Sequence, residues 1–126
     1  MSVSNQVAEL RRRFDAEIFP AQCPSRMVLD HVTSKWGVLV LAALAEEPRR
    51  WGELRRIAEG ISEKMLAQTL KTLERDGLVH REAHPVIPPR VDYSLTSRGE
   101  ELAALLVPLL AWVIDHADEI VTTEQG

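Results

Sequence analysis

Residues 60–77 read GISEKMLAQTLKTLERDG and contain the clearest local signals in the chain. Ser62 is of a type preferred at a helix N-cap, and Ile61 and Leu66 have the spacing of a hydrophobic staple. The last glycine interrupts the periodic pattern, as glycine commonly does after a helix. The stretch therefore predicts a capped helix over residues 62–76.

The predicted helix 62–76 has two faces of different character. At about 100° per residue, Leu66, Leu70 and Leu73 form one apolar stripe. The opposite face is polar and mostly basic, and it contains Lys64, Gln68, Lys71, Thr72 and Arg75. A helix that reads DNA needs one face fixed against a core and one face with donors for bases and phosphates. An ordinary amphipathic surface helix shows the same pattern, so the flanking elements must decide between the two interpretations.

A second helix precedes this one after a short turn. Trp51, Leu54 and Ile57 lie at helical spacing and predict a helix over 51–59, with Gly60 just beyond its end. Two helices joined by a short turn that contains glycine are the pattern of a helix-turn-helix.

Three further helices are predicted on the N-terminal side. An amphipathic helix covers residues 4–18 and ends before Pro20, a short helix opens at Cys23, and an apolar stretch predicts a buried helix over 35–45. The basic segment 49–51 is too short to assign by itself.

The hydrophobic period changes to 2 after the helix pair. Residues 78–81 and 90–95 predict two strands, and the proline-rich segment 84–89 predicts the turn between them, because proline removes donors and fixes φ. A hairpin directly after a helix-turn-helix forms a wing. The predicted fold class is therefore mainly α with a small β-hairpin (α+β), a winged helix-turn-helix.

A long helix follows the hairpin. Ser97 and Glu100 match a capping box, the helix is predicted over 98–119, and Pro108 is expected to kink it. Its apolar residues cover more than one face, which exceeds what a single core contact needs. This excess, together with the uncovered stripe of helix 4–18, indicates dimerisation.

The composition fits one globular domain. The chain has 126 residues, of which 45% are hydrophobic and 27% charged. No apolar run reaches the length of a membrane span, and the N-terminus lacks the pattern of an export signal. Cys23 is the single cysteine, which excludes an intrachain disulfide and favours a reducing, cytoplasmic location.

The charge is unevenly distributed along the chain. The formal net charge is −4, yet residues 35–98 carry a net charge of +2 and the remaining residues a net charge of −6. A mildly basic middle permits nucleic-acid binding there without requiring it.

Several short motifs follow one another in a specific order. They are Cys23-Pro24, Lys35-Trp36, WGELRR (51–56), GISEKML (60–66), LKTLERDGLV (70–79) and PPRVDYSLT (88–96), followed by Gly99 and Trp112. In this order they resemble the HxlR-type winged-helix regulators of bacteria, over residues 23–113. Thr33-Ser34 and Trp51 depart from that pattern, which usually has glycine before the Lys-Trp pair and more often phenylalanine at the second site.

The resemblance implies a homodimeric transcription factor that binds double-stranded DNA. Helix 62–76 would read the major groove, and hairpin 80–93 would form the wing. The arginines around residue 50 and in the next helix are expected at phosphates unless they pair with Glu53 and Glu59, and Arg75 is also expected at phosphate. The DNA-binding candidates are Lys35, Arg49, Arg50, Arg55, Arg56, Ser62, Lys64, Gln68, Thr69, Lys71, Thr72, Arg75 and Arg90.

The expected organisation is a single domain over residues 1–126. It comprises an N-terminal dimerisation helix (1–20), a DNA-binding core (23–96) and a C-terminal dimerisation helix (97–121). The expected dimer interface contains Val7, Leu10, Phe14, Ile18, Leu105, Leu109, Trp112 and Val113. A two-fold dimer would bind a pseudo-palindrome with half-sites about one helical turn, or a multiple of it, apart.

Cys23 is a candidate redox sensor. Some members of the resembled family sense oxidants or electrophiles through the cysteine of this Cys-Pro pair. Cys23 begins a predicted helix, whose dipole favours a thiolate, and Arg26 follows three residues later. The alternative is a reduced, packed cysteine. With a single cysteine per chain, any disulfide must join two subunits.

The sequence contains no motif of an enzyme. It has neither a phosphate-binding glycine loop nor a nucleophile motif, so no cofactor and no catalytic residue is expected. The four histidines His31, His80, His84 and His116 are scattered, so no metal site is expected. Two alternatives remain. One is a winged-helix protein-interaction module without DNA binding, and the other is a regulator with a small-molecule effector between helices 4–18 and 98–119.

Overall fold

The computed structural model describes the backbone of residues 2–13 and 23–125, and the side chains of these residues up to Thr122. The chain divides into two compact units, residues 1–33 and residues 34–126. This boundary lies inside the range 23–96 that the sequence assigns to the DNA-binding core.

The first unit contains two helices, α1 (Val3–Arg13) and α2 (Pro24–Val32). The sequence predicts the first helix over 4–18, and its second half lies outside the described residues. Helix α2 begins where predicted, with Cys23 at the N-cap and Pro24 in the first turn. It ends at Thr33, whose backbone N–H and hydroxyl both donate to the carbonyl of Leu29.

The core of the second unit is built around α3 (Lys35–Glu46). Ser34 caps this helix by accepting a hydrogen bond from the Gly37 N–H at 3.1 Å. Val40 and Leu41 are completely buried. Helix α3 packs against α4 (Trp51–Ile57), α5 (Glu63–Arg75) and α6 (Ser97–Gln125). Buried leucines from α4 and α5 complete this core, namely Leu54, Leu66, Leu70 and Leu73.

The sheet has three antiparallel strands in the order β1-β3-β2, where the sequence predicts two. Strands β1 (Arg49–Arg50), β2 (Val79–His84) and β3 (Arg90–Leu95) pair so that Arg50 lies opposite Asp92. The two-residue strand β1 has no period of its own, so only its partner β3 defines it. The hairpin of β2 and β3 is longer than predicted, because β2 continues to His84.

Thr96 caps the long helix α6, which corrects the prediction of a capping box at Ser97. The Thr96 hydroxyl accepts a hydrogen bond from the Gly99 N–H at 3.0 Å and donates one to the Gly77 carbonyl at 2.6 Å. The same side chain therefore starts α6 and ties it to the turn after α5. Pro108 lies inside α6, which continues to Gln125.

Among the described residues, no single helix is long and apolar enough to cross a membrane. Helices α2 and α3 reach the length and apolar composition of a membrane span only when they are counted together, as a bent pair. Helix α3 is also largely buried in the core.

Candidate nucleic-acid interface

A short turn fixes the position of α5 relative to α4. Helix α4 ends at Ile57, two residues before the predicted end, and Gly60 adopts φ +94° in the turn. Ile61 is buried, and its N–H donates to the Ala58 carbonyl at 3.1 Å. Ser62 then caps α5 as predicted, by accepting a hydrogen bond from the Met65 N–H at 3.0 Å.

Helix α5 separates a buried face from an exposed polar face. Leu66, Leu70 and Leu73 are buried, which confirms the predicted apolar stripe. The exposed polar side chains that the sequence assigns to DNA are Ser62, Lys64, Gln68, Lys71 and Arg75, and the carboxylates of Glu63 and Glu74 are exposed as well. Amide and ammonium groups of this kind donate to the edges of bases and to phosphates.

Two threonines on α5 differ from the expectation that both contact DNA. Thr69 is only 9% exposed, so its place among the DNA-binding residues must be corrected. Its position is about −60° from Leu66 on the helical wheel, which is close enough to the apolar stripe to be covered by the core. Thr72 is half-buried and lies at the edge of the polar face.

Arg49 also requires a correction, because its guanidinium is occupied inside the protein. Its side chain is only 13% exposed, and it donates to the Ala43 carbonyl at 3.3 Å. It also bonds to carboxylates of Glu46 at 3.0 Å and Glu47 at 3.2 Å. This arginine therefore holds the end of α3 to β1 and is not available to a phosphate.

The other arginines predicted at phosphates are exposed. Arg50 lies on β1, and Arg55 and Arg56 lie on α4. The expected pairing with Glu53 is formed by Arg49, whose Nη1 lies 3.8 Å from Glu53 Oε2. The Arg55 guanidinium bonds instead to Glu63 at 3.0 Å. This ion pair joins α4 to the first turn of α5.

Lys35 lies beside the turn of the helix pair. Its Nζ is 4.3 Å from the centroid of the Trp36 ring, in a cation–π contact. The same ring lies 3.9 Å from the position that a β-carbon would take at Gly60. The lysine is exposed at the start of α3.

A cluster of polar and charged side chains surrounds Asp92 on β3, the middle strand of the sheet. The Asp92 carboxylate accepts hydrogen bonds from Arg90 Nε at 3.1 Å, from Arg90 Nη2 at 2.9 Å and from His84 Nε2 at 3.0 Å. The Arg90 guanidinium, and secondly the His84 hydrogen bond, lower the pKa of Asp92. Asp92 in turn raises the pKa of Arg90. Beyond this cluster, the tip of the wing carries the fully exposed Ile87.

Arg81 is a candidate that the sequence analysis missed. It is exposed on β2, opposite the buried Tyr93 of β3. Together with Lys71 and Glu74 of α5, these residues line a groove of about 330 Å³ between the helix and the sheet. The signal was present in the alternation of the predicted strand 78–81, which places Val79 and Arg81 on the face that packs toward the helix.

Cys23 belongs to the first unit. It is half-buried at the N-cap of α2, its thiol is free, and its side chain makes no capping hydrogen bond. Its carbonyl accepts the Arg26 N–H at 3.1 Å.

The expected dimer residues of α6 form an exposed apolar surface. Leu105, Leu109, Trp112 and Val113 are all exposed, and Trp112 stacks on His116 with a centroid distance of 4.3 Å. In α1, Val7 and Leu10 are half-buried, whereas Phe14 and Ile18 lie outside the described residues. Within the described part of the chain, no group of three or more His, Cys, Asp or Glu side chains is arranged to hold a metal ion.

A helix pair with a tight turn, followed by a sheet with a projecting hairpin, defines a winged helix-turn-helix protein. Over residues 31–121 the chain matches the HxlR-like helix-turn-helix family, and it belongs to that family.

Three comparisons agree with this assignment. The HTH-type transcriptional regulator YtfH of Escherichia coli is 47% identical over 116 residues, which cover 92% of each chain. The structure of the ytfH regulator from Salmonella typhimurium has a TM-score of 0.82 at 45% identity, over 87% of this chain and 98% of that one. The oxidised form of the redox regulator HypR has a TM-score of 0.68 at 35% identity, over 74% of this chain and 96% of that one.

Proposed function

We propose that this protein is a DNA-binding transcriptional regulator that acts as a homodimer in the bacterial cytoplasm and reads a pseudo-palindromic operator. Family membership and the similarity to HTH-type transcriptional regulators support the DNA-binding role. The observation that carries the proposal is α5, which buries three leucines and turns an exposed polar face to solvent directly after a tight turn.

Individual roles follow from position and chemistry. Ser62, Lys64 and Gln68 lie in the first half of α5, where a recognition helix contacts base edges. Glutamine pairs with adenine, and lysine pairs with guanine. Further exposed cations of the second unit are assigned to phosphates, namely Lys35, Arg50, Arg55, Arg56, Lys71, Arg75, Arg81 and Arg90.

Binding to the DNA upstream of the protein's own gene tests this function. The protein is titrated against the labelled duplex at several salt concentrations, with excess nonspecific competitor. Binding that resists competitor and weakens steeply with salt is expected. Gln68→Ala together with Lys64→Ala should abolish the specific component. Gln6→Ala, on the exposed face of α1, is the matched control and should leave it unchanged.

Two results of this titration would contradict the proposed role of α5 in DNA binding. Absence of binding at low salt, with or without oxidant, would favour the protein-interaction module instead. Equal loss in the α5 variant and in the control would show that α5 does not read the site.

We further propose that Cys23 makes the regulator responsive to oxidants. Its free thiol at the N-cap of α2 supports this role, as does the similarity to a redox regulator in its oxidised form. An oxidant such as diamide would accept two hydrogens from the Cys23 thiols of two subunits, and one disulfide would form between them.

Diamide treatment tests the role of Cys23. A dimer that resists denaturation without reductant, together with altered DNA affinity, is expected for the unaltered protein and not for Cys23→Ser. Unchanged DNA affinity after diamide would leave Cys23 as a packed structural residue.

A further inference from the structure

One carboxylate on the wing gathers three basic side chains from all three strands. Asp92 lies on β3, the middle strand, and its carboxylate bonds to Arg90 of the same strand and to His84 of β2. Arg50 Nε of β1 lies 3.8 Å from Asp92 Oδ1. The carboxylate therefore lies at the centre of the exposed sheet face.

The position of Asp92 in the sheet restricts how its carboxylate can move. Successive side chains of a strand point to opposite faces, and the next residue, Tyr93, is buried on the core side. The Asp92 side chain is only 22% exposed, whereas its partners Arg90 and Arg50 are 44% and 57% exposed. A restrained acceptor thus holds two cations that still reach solvent.

The Arg90–Asp92 pair has a geometry that leaves part of the guanidinium available. Arg90 uses Nε and Nη2 for the two carboxylate oxygens, in a side-on bidentate pair. The donors of Nη1 point away from these two bonds, because the guanidinium is planar. An arginine oriented in this way can donate to a phosphate without leaving its carboxylate partner.

We propose that Asp92 is a positioning residue for DNA binding, which orients Arg90 on the wing toward a phosphate of the operator. This inference rests on the proposed DNA-binding function. The geometry favours positioning over competition, because the carboxylate bonds to Nε and Nη2 of Arg90 and not to Nη1. Holding a long side chain in place before binding reduces the entropy lost when DNA docks.

Asp92→Asn and Glu82→Gln form a matched pair for the test. Glu82 lies opposite Asp92 on β2, is exposed, and carries the same charge. Both substitutions remove one negative charge from the wing, but only the first removes the bidentate partner of Arg90. Operator affinity is measured for both variants with the same upstream duplex, and again in an Arg90→Ala background.

Positioning predicts a loss of operator affinity for Asp92→Asn and no loss for Glu82→Gln. Asp92→Asn should weaken operator binding by roughly three- to tenfold, as expected for one side chain that must be ordered on binding. Glu82→Gln should leave affinity unchanged or raise it, because it removes a charge that repels DNA. In the Arg90→Ala background, Asp92→Asn should cause no further loss, and the salt slope should already be reduced by about 0.9.

Arg90→Lys provides a second test that does not alter Asp92. Lysine keeps the charge but lacks the planar fork, so binding should weaken although the charge is unchanged. Affinity equal to the unaltered protein would overturn the inference.

Three outcomes of the affinity series would also overturn it. Tighter binding of Asp92→Asn, as for Glu82→Gln, would mean that the carboxylate only repels DNA. An equal loss with and without Arg90 would mean that Asp92 acts through the sheet. Failure of the unaltered protein to bind its upstream DNA would overturn the proposed function and the inference together, which distinguishes that result from the first two.

Discussion

Gly99 marks the closest approach between α6 and the rest of its unit. A β-carbon at this position would lie 2.1 Å from the Leu78 carbonyl oxygen, which is backbone and cannot rotate away. The Gly99 N–H is also the donor that Thr96 captures at the start of α6. The lack of space for a side chain requires glycine here. The backbone conformation does not require it, since the φ of Gly99 is not in the left-handed region.

Gly99→Ala should therefore destabilise the protein. Overpacking costs about 1–3 kcal/mol in a core, and a clash with backbone should reach at least the upper part of that range. Gly52→Ala is the matched control, because Gly52 lies in α4 with open space around it, and alanine should gain about 0.5–1 kcal/mol there. Urea unfolding measures both variants. Equal stability of the two would contradict the observed packing at Gly99.

Asp92 should stabilise the wing down to acidic pH. Its pKa is lowered in the folded state by Arg90 and His84. A carboxyl with a lowered pKa contributes its stability fully above the unfolded pKa, about 3.9, and loses it as pH falls through the folded value. The difference in melting temperature between the unaltered protein and Asp92→Asn should thus stay constant from neutral pH to about pH 5, then shrink below about pH 4.

This pH series needs a control for the neighbouring histidine. His84→Gln in both proteins removes the histidine that bonds to the Asp92 carboxylate. A difference that already vanishes near neutral pH in this background would show that the carboxylate does not stabilise the wing.

At the scale of elements, the sequence predicts helices well because their signals are local. Ser62 and the leucine stripe of α5 define that helix without any knowledge of its neighbours. Strand β1 and the Arg49 cluster could not be predicted, since both depend on contacts with residues outside their own segment. Thr69 shows the same limit, because a polar side chain beside an apolar stripe is covered only when the facing helix is in place.

The groove between α5 and the sheet gives a prediction for Arg81. If a DNA phosphate approaches between helix and wing, Arg81→Ala should weaken binding to all sequences to a similar extent and reduce the salt slope by about 1. Salt titrations of operator and random duplexes measure both effects. Arg26→Ala removes the same charge from α2 and should leave the slope unchanged. A loss confined to the operator would instead assign Arg81 to base reading.

At the scale of the whole molecule, the basic excess and the proposed dimer surface lie in different parts of the chain. The basic excess lies in residues 35–98, although the formal net charge of the whole chain is −4. The acidic excess lies in residues 99–126, which include most of α6 and contain six Asp or Glu and no Lys or Arg. A net-negative protein can therefore bind a polyanion, because screening over about 8–10 Å makes the local charges decisive.

The proposed dimer can be tested with two equally exposed residues of α6. Leu105 is 71% exposed and Ile114 is 74% exposed, but they are nine positions apart, which places the two side chains about 180° apart on the helix. Leu105 lies on the same face as Leu109 and Trp112, which is the proposed dimer surface, and Ile114 lies opposite. A charged substitution at Leu105 should therefore break the dimer, whereas the same substitution at Ile114 should leave it intact.

Leu105→Glu places an unpaired charge twice in a two-fold interface, once from each subunit. Burying such a charge costs several kcal/mol, so the dimer should dissociate at least about 100-fold more readily. Light scattering after size exclusion should show a dimer for the unaltered protein and for Ile114→Glu, and a monomer for Leu105→Glu. Operator affinity should fall with dissociation, because a monomer contacts one half-site. A monomeric unaltered protein would contradict the proposed dimer, and dissociation by Ile114→Glu alone would place the partner surface elsewhere.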